Sequence, residues 1–200
     1  MFVIPIDTYK VPNWEEWKPK LLTKIKNSKS ITHNCIDDKD PSQTMETDFH
    51  LNLENNQLPN YYYILVECLQ PVLKKFEEDC SNEIPLKMLN MWYQTTRTGE
   101  MHNVHNHGAI GISAVLYVDF NPAIHKPTVF YAPFHNFIDG TIISHIPKIK
   151  EGDIVFFPSY LHHMQPPNTS FVPRTVISIN FAGNSPDDFK LPLQTEKSEN

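Results

Sequence analysis

Apolar residues recur at helical spacing in two stretches of the N-terminal part of the chain. The first stripe comprises Trp14, Trp17, Leu21, Leu22 and Ile25, and the second comprises Leu65, Leu69, Val72, Leu73 and Phe76. Residues three and four positions apart share one helix face, so each stripe predicts an amphipathic helix. Asn13 and Glu16 predict the start of the first helix, because both side chains can satisfy free backbone N–H groups. Pro71 predicts a kink or a boundary in the second helix.

Between the two stripes, from residue 27 to about residue 60, the chain is polar and shows no clear period. It carries turn-forming residues such as Asp37, Asp38, Asp40 and Pro41. We therefore expect a long loop with little regular structure in this region.

After residue 82 the pattern changes to short runs that are rich in β-branched and aromatic residues. The runs are MLNMWYQTT, AIGISAVLYVDF, PTVFYAPF, TIISHI, DIVFFP and RTVISINFA. Such runs predict strands, and glycine and proline separate them without any helix-length pattern in between. The sequence therefore predicts an α+β fold, with a jelly-roll core of mainly antiparallel strands and the N-terminal helices packed outside.

The length of 200 residues is consistent with one domain. We divide this single domain, 1–200, into a helical support region at 1–82, a jelly-roll core at 83–185 and a tail at 186–200. Each predicted helix has one apolar stripe that needs a sheet to cover it, so we do not expect the support region to fold alone.

Composition narrows the possible classes of protein. Hydrophobic residues make up 40% and aromatic residues 12% of the chain, as in ordinary globular proteins. The net charge of −6 is mild and the Lys and Arg residues are scattered, so no nucleic-acid partner is indicated. Cys35, Cys68 and Cys80 form no CxxC spacing, which predicts reduced thiols. Neither a leader pattern nor an apolar run of roughly 18 residues occurs, so we expect a cytoplasmic protein without a membrane partner.

Candidate chemistry begins with a cluster of histidines ahead of an apolar strand, in GEMHNVHNHGAIGISAVLYVDF. His105 and His107 are two residues apart, so on an extended strand their imidazoles share a face and could reach one metal ion. A second cluster, GDIVFFPSYLHHMQPPN, ends a predicted strand in a turn that presents His162 and His163. If the two stretches are antiparallel neighbours, a third histidine from this turn completes a facial triad with three open coordination positions.

A buried cation is predicted close to this site. Arg174, Val176, Ser178 and Asn180 alternate along a predicted strand and therefore share one face. A guanidinium inside a barrel is costly to bury unless it meets a carboxylate, and its shape suits one carboxylate held through two hydrogen bonds. A dicarboxylate cosubstrate would supply that partner.

The order of these motifs resembles that of the phage and bacterial 2-oxoglutarate/Fe(II) oxygenases of the prolyl-hydroxylase-like superfamily. The matching positions are Trp92, Gly99 with Glu100, His105-Asn106-His107, Ser113 to Val118, Phe157 to His163 and Arg174 to Asn180. They cover roughly the C-terminal half of the chain. The resemblance implies a double-stranded β-helix, similar to cupins, and it selects His163 rather than His162 as the third metal ligand.

The same resemblance implies a dioxygenase that holds Fe(II) and uses 2-oxoglutarate and dioxygen. It implies His105, His107 and His163 as metal ligands, and 2-oxoglutarate bound at Arg174, Tyr117, Gln94 and Ser178. The implied reaction hydroxylates a substrate while 2-oxoglutarate is decarboxylated to succinate. The substrate is expected to be a small molecule or a protein side chain, in the host cytoplasm if the source is viral. The sequence indicates no oligomeric state.

Two positions depart from this family. His107 stands where the wider superfamily has Asp or Glu, and Val176 stands where many members have Ser. Two alternatives therefore stay open. One is a three-histidine iron dioxygenase that does not use 2-oxoglutarate, with Arg174 in a structural role; the other is a non-catalytic jelly-roll structural or binding protein. Asp119 or Glu100 would supply a carboxylate ligand if His107 faced away.

The remaining histidines are assigned no chemistry. We expect His102 to be an exposed loop residue, with a substrate-side role as the alternative. The others are expected to be surface or hydrogen-bonded structural residues: His33, His50, His125, His135 and His145.

Overall fold

The computed structural model describes residues 4–34, 44–49, 58–80, 86–109 and 111–182. Two helices in these ranges span Trp14–Lys26 (α1) and Tyr62–Asp79 (α2). The strands are Asp7–Lys10 (β1), Ile31–Asn34 (β2), Thr44–Thr47 (β3), Lys87–Thr96 (β4), His102–His105 (β5), Ile112–Asp119 (β6), Val129–His135 (β7), Ile142–His145 (β8), Asp153–Pro158 (β9), His163–Gln165 (β10) and Arg174–Ala182 (β11).

The strands form two sheets, and every strand pair among the described residues is antiparallel. The major sheet has the order β1-β9-β6-β11-β4-β3-β2, and the minor sheet has the order β5-β10-β7-β8. Strands far apart in sequence are neighbours, as in a jelly roll. The predicted antiparallel jelly roll with helices outside is confirmed.

Side-chain alternation along the major sheet builds two apolar layers. The outer layer packs α1 and α2 against one face of the sheet, and it includes Leu21, Leu65, Phe156, Ile177 and Phe181. The inner layer fills the space between the two sheets, and it includes Val115, Phe130, Val155, Phe157 and Val176. Both predicted helical stripes contribute their buried residues to the outer layer, so the helices cover the sheet as expected.

The region from residue 27 to residue 60 is more regular than the sequence predicts. β2 pairs with β3, and β3 continues the major sheet by pairing Glu46 with Thr95 and Thr47 with Gln94. The prediction of a long loop is therefore wrong for these two strands. They are short and mostly polar, and β2 is the edge strand of the major sheet, so no apolar alternation is available for a sequence pattern to reveal. Residues 35–43 and 50–57 lie outside the described ranges.

Both helices depart in detail from their predicted boundaries. Asn13 precedes α1 with φ 52° and ψ 38°, a left-handed conformation that Asn tolerates, and its side chain caps no N–H group. Its backbone carbonyl instead accepts the Glu16 N–H at 3.0 Å, so the predicted side-chain cap is wrong although the start is right.

α2 continues through Pro71, which is exposed, so water can solvate the carbonyl that proline leaves unpaired. Pro71 is therefore not a boundary.

Several predictions concern residues that the structure does not describe, namely Cys35, His50, the boundary near residue 82 and the tail at 186–200. The division of a single domain stays a prediction for that reason. Cys68 and Cys80 are free thiols. Within the described ranges, neither helix combines the length and the apolar character that a membrane span requires.

Candidate active site

Three histidines converge between the two sheets. His105 ends β5, His163 begins β10, and the two residues are directly paired across these strands. His107 lies two residues beyond β5, after the chain has left the strand. One ring nitrogen from each of the three lies within 4.8 Å of the others, a spacing that allows one ion to be held between them. The structure therefore brings together the three residues that the sequence predicted as metal ligands.

The Nδ1 atom of each of these histidines forms a hydrogen bond with a carbonyl or amide oxygen, which can act only as an acceptor. Nδ1 of His105 donates to the Asn103 carbonyl at 2.7 Å, and Nδ1 of His163 donates to the Leu161 carbonyl at 2.9 Å. Nδ1 of His107 donates to Oδ1 of Asn180 at 2.7 Å. With the proton on Nδ1, the lone pair of each neutral ring lies on Nε2. Histidines that bind a metal ion usually have this arrangement: one ring nitrogen binds the metal, and the N–H of the other donates to a fixed acceptor.

Burial keeps the three rings neutral at pH 7. It lowers the pKa of His107 to about 4, and the positive charge that His105 would carry adds to the effect. Burial also lowers the pKa of His163 well below 6.5 and lowers the pKa of His105. Neutral imidazole is the form that binds a metal ion, so these histidines are already in the protonation state that coordination requires.

A network of small polar side chains positions His107. Oγ of Ser113 lies 3.0 Å from Nδ1 of His107, donates to Oδ1 of Asn180 at 2.8 Å and lies 2.8 Å from Oγ of Ser159. Nδ2 of Asn180 donates to Oδ1 of Asn90 at 2.9 Å, and the backbone N–H of His107 donates to the Ser159 carbonyl at 2.9 Å. Three stretches of chain therefore fix this ring, although it lies outside a strand.

The carboxylates considered as alternative ligands point elsewhere. Oδ1 of Asp119 accepts from Nζ of Lys18 at 2.9 Å, in an ion pair between β6 and α1. Oε2 of Glu100 accepts the Arg97 N–H at 2.7 Å in the turn before β5. Neither belongs to the histidine cluster, and neither does His162, which is exposed. The cluster found in the described part of the chain thus has histidine as its only donor type.

Arg174 lies at the start of β11, with only 2% of its surface exposed. Its Nε, Nη1 and Nη2 atoms are buried and have no hydrogen-bond partner among the described residues. The guanidinium lies 5.3 Å from the ring centre of Tyr117 and 5.8 Å from that of Phe120. Burial lowers the pKa of Arg174. Aromatic faces stabilise a buried cation only partly. The N–H groups of this arginine can therefore still bind an anion.

A small pocket connects two of the histidines to this arginine. Its walls include His105, His163, Gln94, Ser178 and Arg174. Gln94 and Ser178 thus lie where the sequence predicted contact with a cosubstrate. The carboxylate of a small molecule would meet unpaired N–H groups at Arg174, so the donors fit an anionic ligand.

Tyr117 is buried behind this pocket and does not line it. Its hydroxyl donates to Oγ1 of Thr128 at 2.9 Å and accepts the Thr128 N–H at 3.1 Å. Its ring packs against Arg174. The side chain therefore orients the arginine with its ring, while its hydroxyl is held by Thr128.

Sequence reasoning placed His102 in an exposed loop, and the structure corrects this. His102 begins β5, lines the pocket and stacks on His105 with ring centres 3.8 Å apart. Its Nδ1 accepts from Nε2 of Gln94 at 3.3 Å. Gln165, the register partner of His102 on β10, also lines the pocket and was not predicted. The pairing of β5 with β10 unites these residues, and the only sequence signal for Gln165 is its position two residues after His163.

The other described histidines are structural or exposed, as predicted. His125 is buried, accepts the Asn121 N–H at 3.1 Å and bonds the Val172 carbonyl at 3.0 Å. His135 and His145 are exposed on β7 and β8. The side chains of His33 and His50 are not described.

Comparison with solved structures identifies the fold. The epimerase SnoN from nogalamycin biosynthesis, described as non-heme and alpha-ketoglutarate dependent, is 13% identical over 89% of this chain and 77% of its own, with a TM-score of 0.64. A Pseudomonas putida prolyl-4-hydroxylase is 11% identical over 90% and 94%, with a TM-score of 0.54. AviO1 from Streptomyces viridochromogenes is 15% identical over 92% and 91%, with a TM-score of 0.57. These neighbours confirm the predicted double-stranded β-helix.

The comparison of sequences agrees with the comparison of folds. No curated protein matches the chain. Residues 90–180 match the family described as "Putative 2OG-Fe(II) oxygenase". This segment contains all three clustered histidines and Arg174. The match therefore covers the part of the chain that builds the site.

Proposed function

We propose that this chain is an Fe(II)- and 2-oxoglutarate-dependent dioxygenase that hydroxylates its substrate. The observation that carries the proposal is the buried guanidinium of Arg174, which has no partner among the described residues and lines the same pocket as His105 and His163, two of the three converging histidines. One end of the pocket suits a divalent cation and the other suits a carboxylate. A small 2-oxo dicarboxylic acid has groups for both ends.

The Nε2 atoms of His105, His107 and His163 would hold the iron, leaving three positions for other ligands. Bound iron and 2-oxoglutarate supply the oxidation: a substrate C–H group, dioxygen and 2-oxoglutarate give the hydroxylated product, succinate and carbon dioxide. The protein contributes orientation, because its ligands are fixed by Asn103, Leu161 and Asn180 before any ion arrives. It also excludes water through the surrounding apolar layer.

Arg174 would bind the distal carboxylate of 2-oxoglutarate, and Tyr117 would orient the guanidinium from behind. Gln94 and Ser178 would line the space between the two ends. A guanidinium binds one carboxylate through two parallel hydrogen bonds, which fixes the angle of the ligand as well as its position. The cosubstrate would thus be held at both ends.

The alternative of a three-histidine dioxygenase without 2-oxoglutarate draws on His107 in place of a carboxylate and on Val176. That alternative leaves Arg174 as a structural residue, although it is buried and the described part of the chain offers it no acceptor. A structural arginine in such a place is expected to have a carboxylate partner. A non-catalytic role likewise leaves unexplained why three histidines bring ring nitrogens within 4.8 Å of one another.

Titration of 2-oxoglutarate into the iron-loaded protein under nitrogen tests the proposal through the metal-to-ligand charge-transfer band. We expect Arg174→Ala to weaken cosubstrate binding by roughly 30-fold or more, from a cost of about 2–5 kcal/mol for an unpaired charge, with iron affinity unchanged. Arg174→Lys keeps the charge but not the two-pronged geometry and should give an intermediate loss. Cosubstrate affinity equal to that of the wild type in Arg174→Ala would favour the three-histidine alternative.

The substrate class needs a separate experiment. The fold neighbours include an epimerase of nogalamycin biosynthesis and prolyl hydroxylases, so a small molecule and a protein side chain are both open. Succinate release across pools of metabolites and peptides, with His163→Ala as the blank, would identify the class. Release that is the same with and without every pool would mean that the true substrate is missing from them.

A further inference from the structure

Gln165 is a residue of the pocket that the proposed function leaves without a role. It is the last residue of β10, two positions after His163. Both side chains are buried and both line the pocket. Gln165 therefore shares the strand face of a metal ligand and faces the same space.

The polar contacts of Gln165 place it at the arginine end of the pocket. Its Nε2 donates to Oγ1 of Thr96, and Thr96 is the register partner of Arg174 across β4 and β11. Its Oε1 is buried and has no hydrogen-bond partner among the described residues. A buried polar group without a partner thus occurs on Gln165 as well as on Arg174, and both groups line one small pocket.

A bound carboxylate satisfies both groups if the amide of Gln165 turns over. The hydroxyl of Thr96 can donate as well as accept, so the turned amide keeps a hydrogen bond to Thr96 through Oε1. Nε2 then faces the pocket as a donor. Hydrogen bonds to a charged acceptor are the stronger kind, so the carboxylate favours this orientation.

We propose that Gln165 is a second binding residue for the distal carboxylate of the 2-oxo acid, acting beside Arg174 and held in place by Thr96. This inference rests on the proposed function, since it requires a dicarboxylate in the pocket. Val176, the next pocket-lining residue after Arg174 on β11, has no donor to offer. Gln165 supplies that donor from β10, and it makes the pocket select dicarboxylic over monocarboxylic 2-oxo acids.

The test compares two ligands on protein loaded with Ni(II), which binds without turnover. 2-Oxoglutarate and 2-oxopentanoate have the same chain length, but the second has a methyl group in place of the distal carboxylate. Isothermal titration calorimetry gives the affinity ratio of the two ligands for the wild type, Gln165→Met and Gln165→Glu. Met164→Leu, a change on the opposite side of β10, is the matched control. Nickel content and melting temperature report whether each variant folds.

We expect the wild type to prefer 2-oxoglutarate, and Gln165→Met to reduce that preference about tenfold or more by losing one hydrogen bond to a charged group. Binding of 2-oxopentanoate should not change in Gln165→Met, and Met164→Leu should keep the full preference. Gln165→Glu should lose the preference entirely, because its carboxylate occupies Arg174 and repels the ligand.

The outcomes separate this inference from the proposed function. A wild type that binds both ligands equally would contradict the use of a dicarboxylate and both proposals with it. A wild type that prefers 2-oxoglutarate, together with a Gln165→Met variant that keeps this preference, would overturn the role of Gln165 alone. If Gln165→Met does not fold, Gln165→Glu decides, since it preserves the shape and the contact with Thr96; an unchanged preference in that variant overturns the inference.

Discussion

The two faces of the major sheet differ in chemistry although they alternate along the same strands. On β11 the outer face presents Ile177, Ile179 and Phe181 to the helices, and the inner face presents Arg174 and Ser178 to the pocket. The outer face is dry and apolar, which is what stability requires. The inner face contains buried polar groups, which lower stability unless a ligand satisfies them. One strand thus divides stability and function between its odd and even positions.

The inner face has an electrostatic cost that the outer face lacks. Opposite this face, the minor sheet and the segment after β5 carry three histidines whose pKa values are lowered by desolvation, and the guanidinium of Arg174 has no acceptor among the described residues. A cation bound to the histidines and an anion bound to Arg174 would remove most of this cost. Ligands are therefore expected to stabilise the folded protein. Changes on the inner face should therefore affect binding, and changes on the outer face should affect folding.

The largest effect is expected from His163→Ala. Loss of one of three ligands should weaken binding of Fe(II) or Co(II) by more than about 100-fold, beyond the 10–100-fold seen when a partner of a ligand is lost. His162→Ala is the matched control, because that neighbouring side chain is exposed and outside the cluster. Metal affinity is measured by competition with a chromophoric chelator. Equal affinity in the two variants would contradict the assignment of His163 as a metal ligand.

Phe156→Ala should produce the opposite result on the outer face. Phe156 is 1% exposed and stacks on Phe76 with ring centres 4.4 Å apart. Truncation should lower the free energy of unfolding by about 3–5 kcal/mol while leaving metal affinity unchanged. Urea denaturation and a metal titration of the same sample measure both quantities. A loss of metal affinity as large as that of His163→Ala would show that the two faces are not independent.

Lower pH should also destabilise the metal-free protein through its inner face. The pKa of His107 falls from 6.5 to about 4 on burial, so between these values the unfolded chain binds more protons than the folded one. Stability is therefore complete above pH 6.5 and falls as the pH is lowered towards 4, by about 3 kcal/mol from this residue alone. Chelator-treated protein unfolded in urea across this range gives the curve. Phe156→Ala should show the same slope at lower overall stability, and a flat curve would mean that His107 is not buried as described.

The sequence predicts the central strands well because β4, β6, β9 and β11 contain long runs of apolar and β-branched residues. It does not predict β2, β3, β5 and β10, which are short and polar. These strands depend on backbone pairing with a neighbour that is distant in sequence, and no local pattern records such a neighbour.

The same limit separates the predicted part of the site from the rest. His105 and Arg174 follow from strand spacing and from the cost of burying a charge, and His107 is identified by the same spacing although it lies two residues beyond β5. His102 and Gln165 do not, because each reaches the pocket through the register between β5 and β10. Local patterns identify residues that share one strand face, whereas the pairing of distant strands determines which faces meet.

The smallest effect in this series is expected at Asn180, which belongs to the inner face of β11 and would act on the metal only through His107. Its Oδ1 accepts the proton on Nδ1 of His107, so it fixes the ring orientation and keeps the lone pair on Nε2. Asn180→Leu has a similar volume but no acceptor, and it should weaken metal binding by about 10–100-fold. Asn180→Asp keeps an acceptor at the same place and makes it negative, which raises the basicity of the ring. It should bind metal at least as tightly as the wild type. A purely structural role for Asn180 predicts that both variants lose stability while metal affinity stays constant, so the ratio of their Co(II) affinities at equal melting temperature decides whether the inner face positions its ligands or only surrounds them.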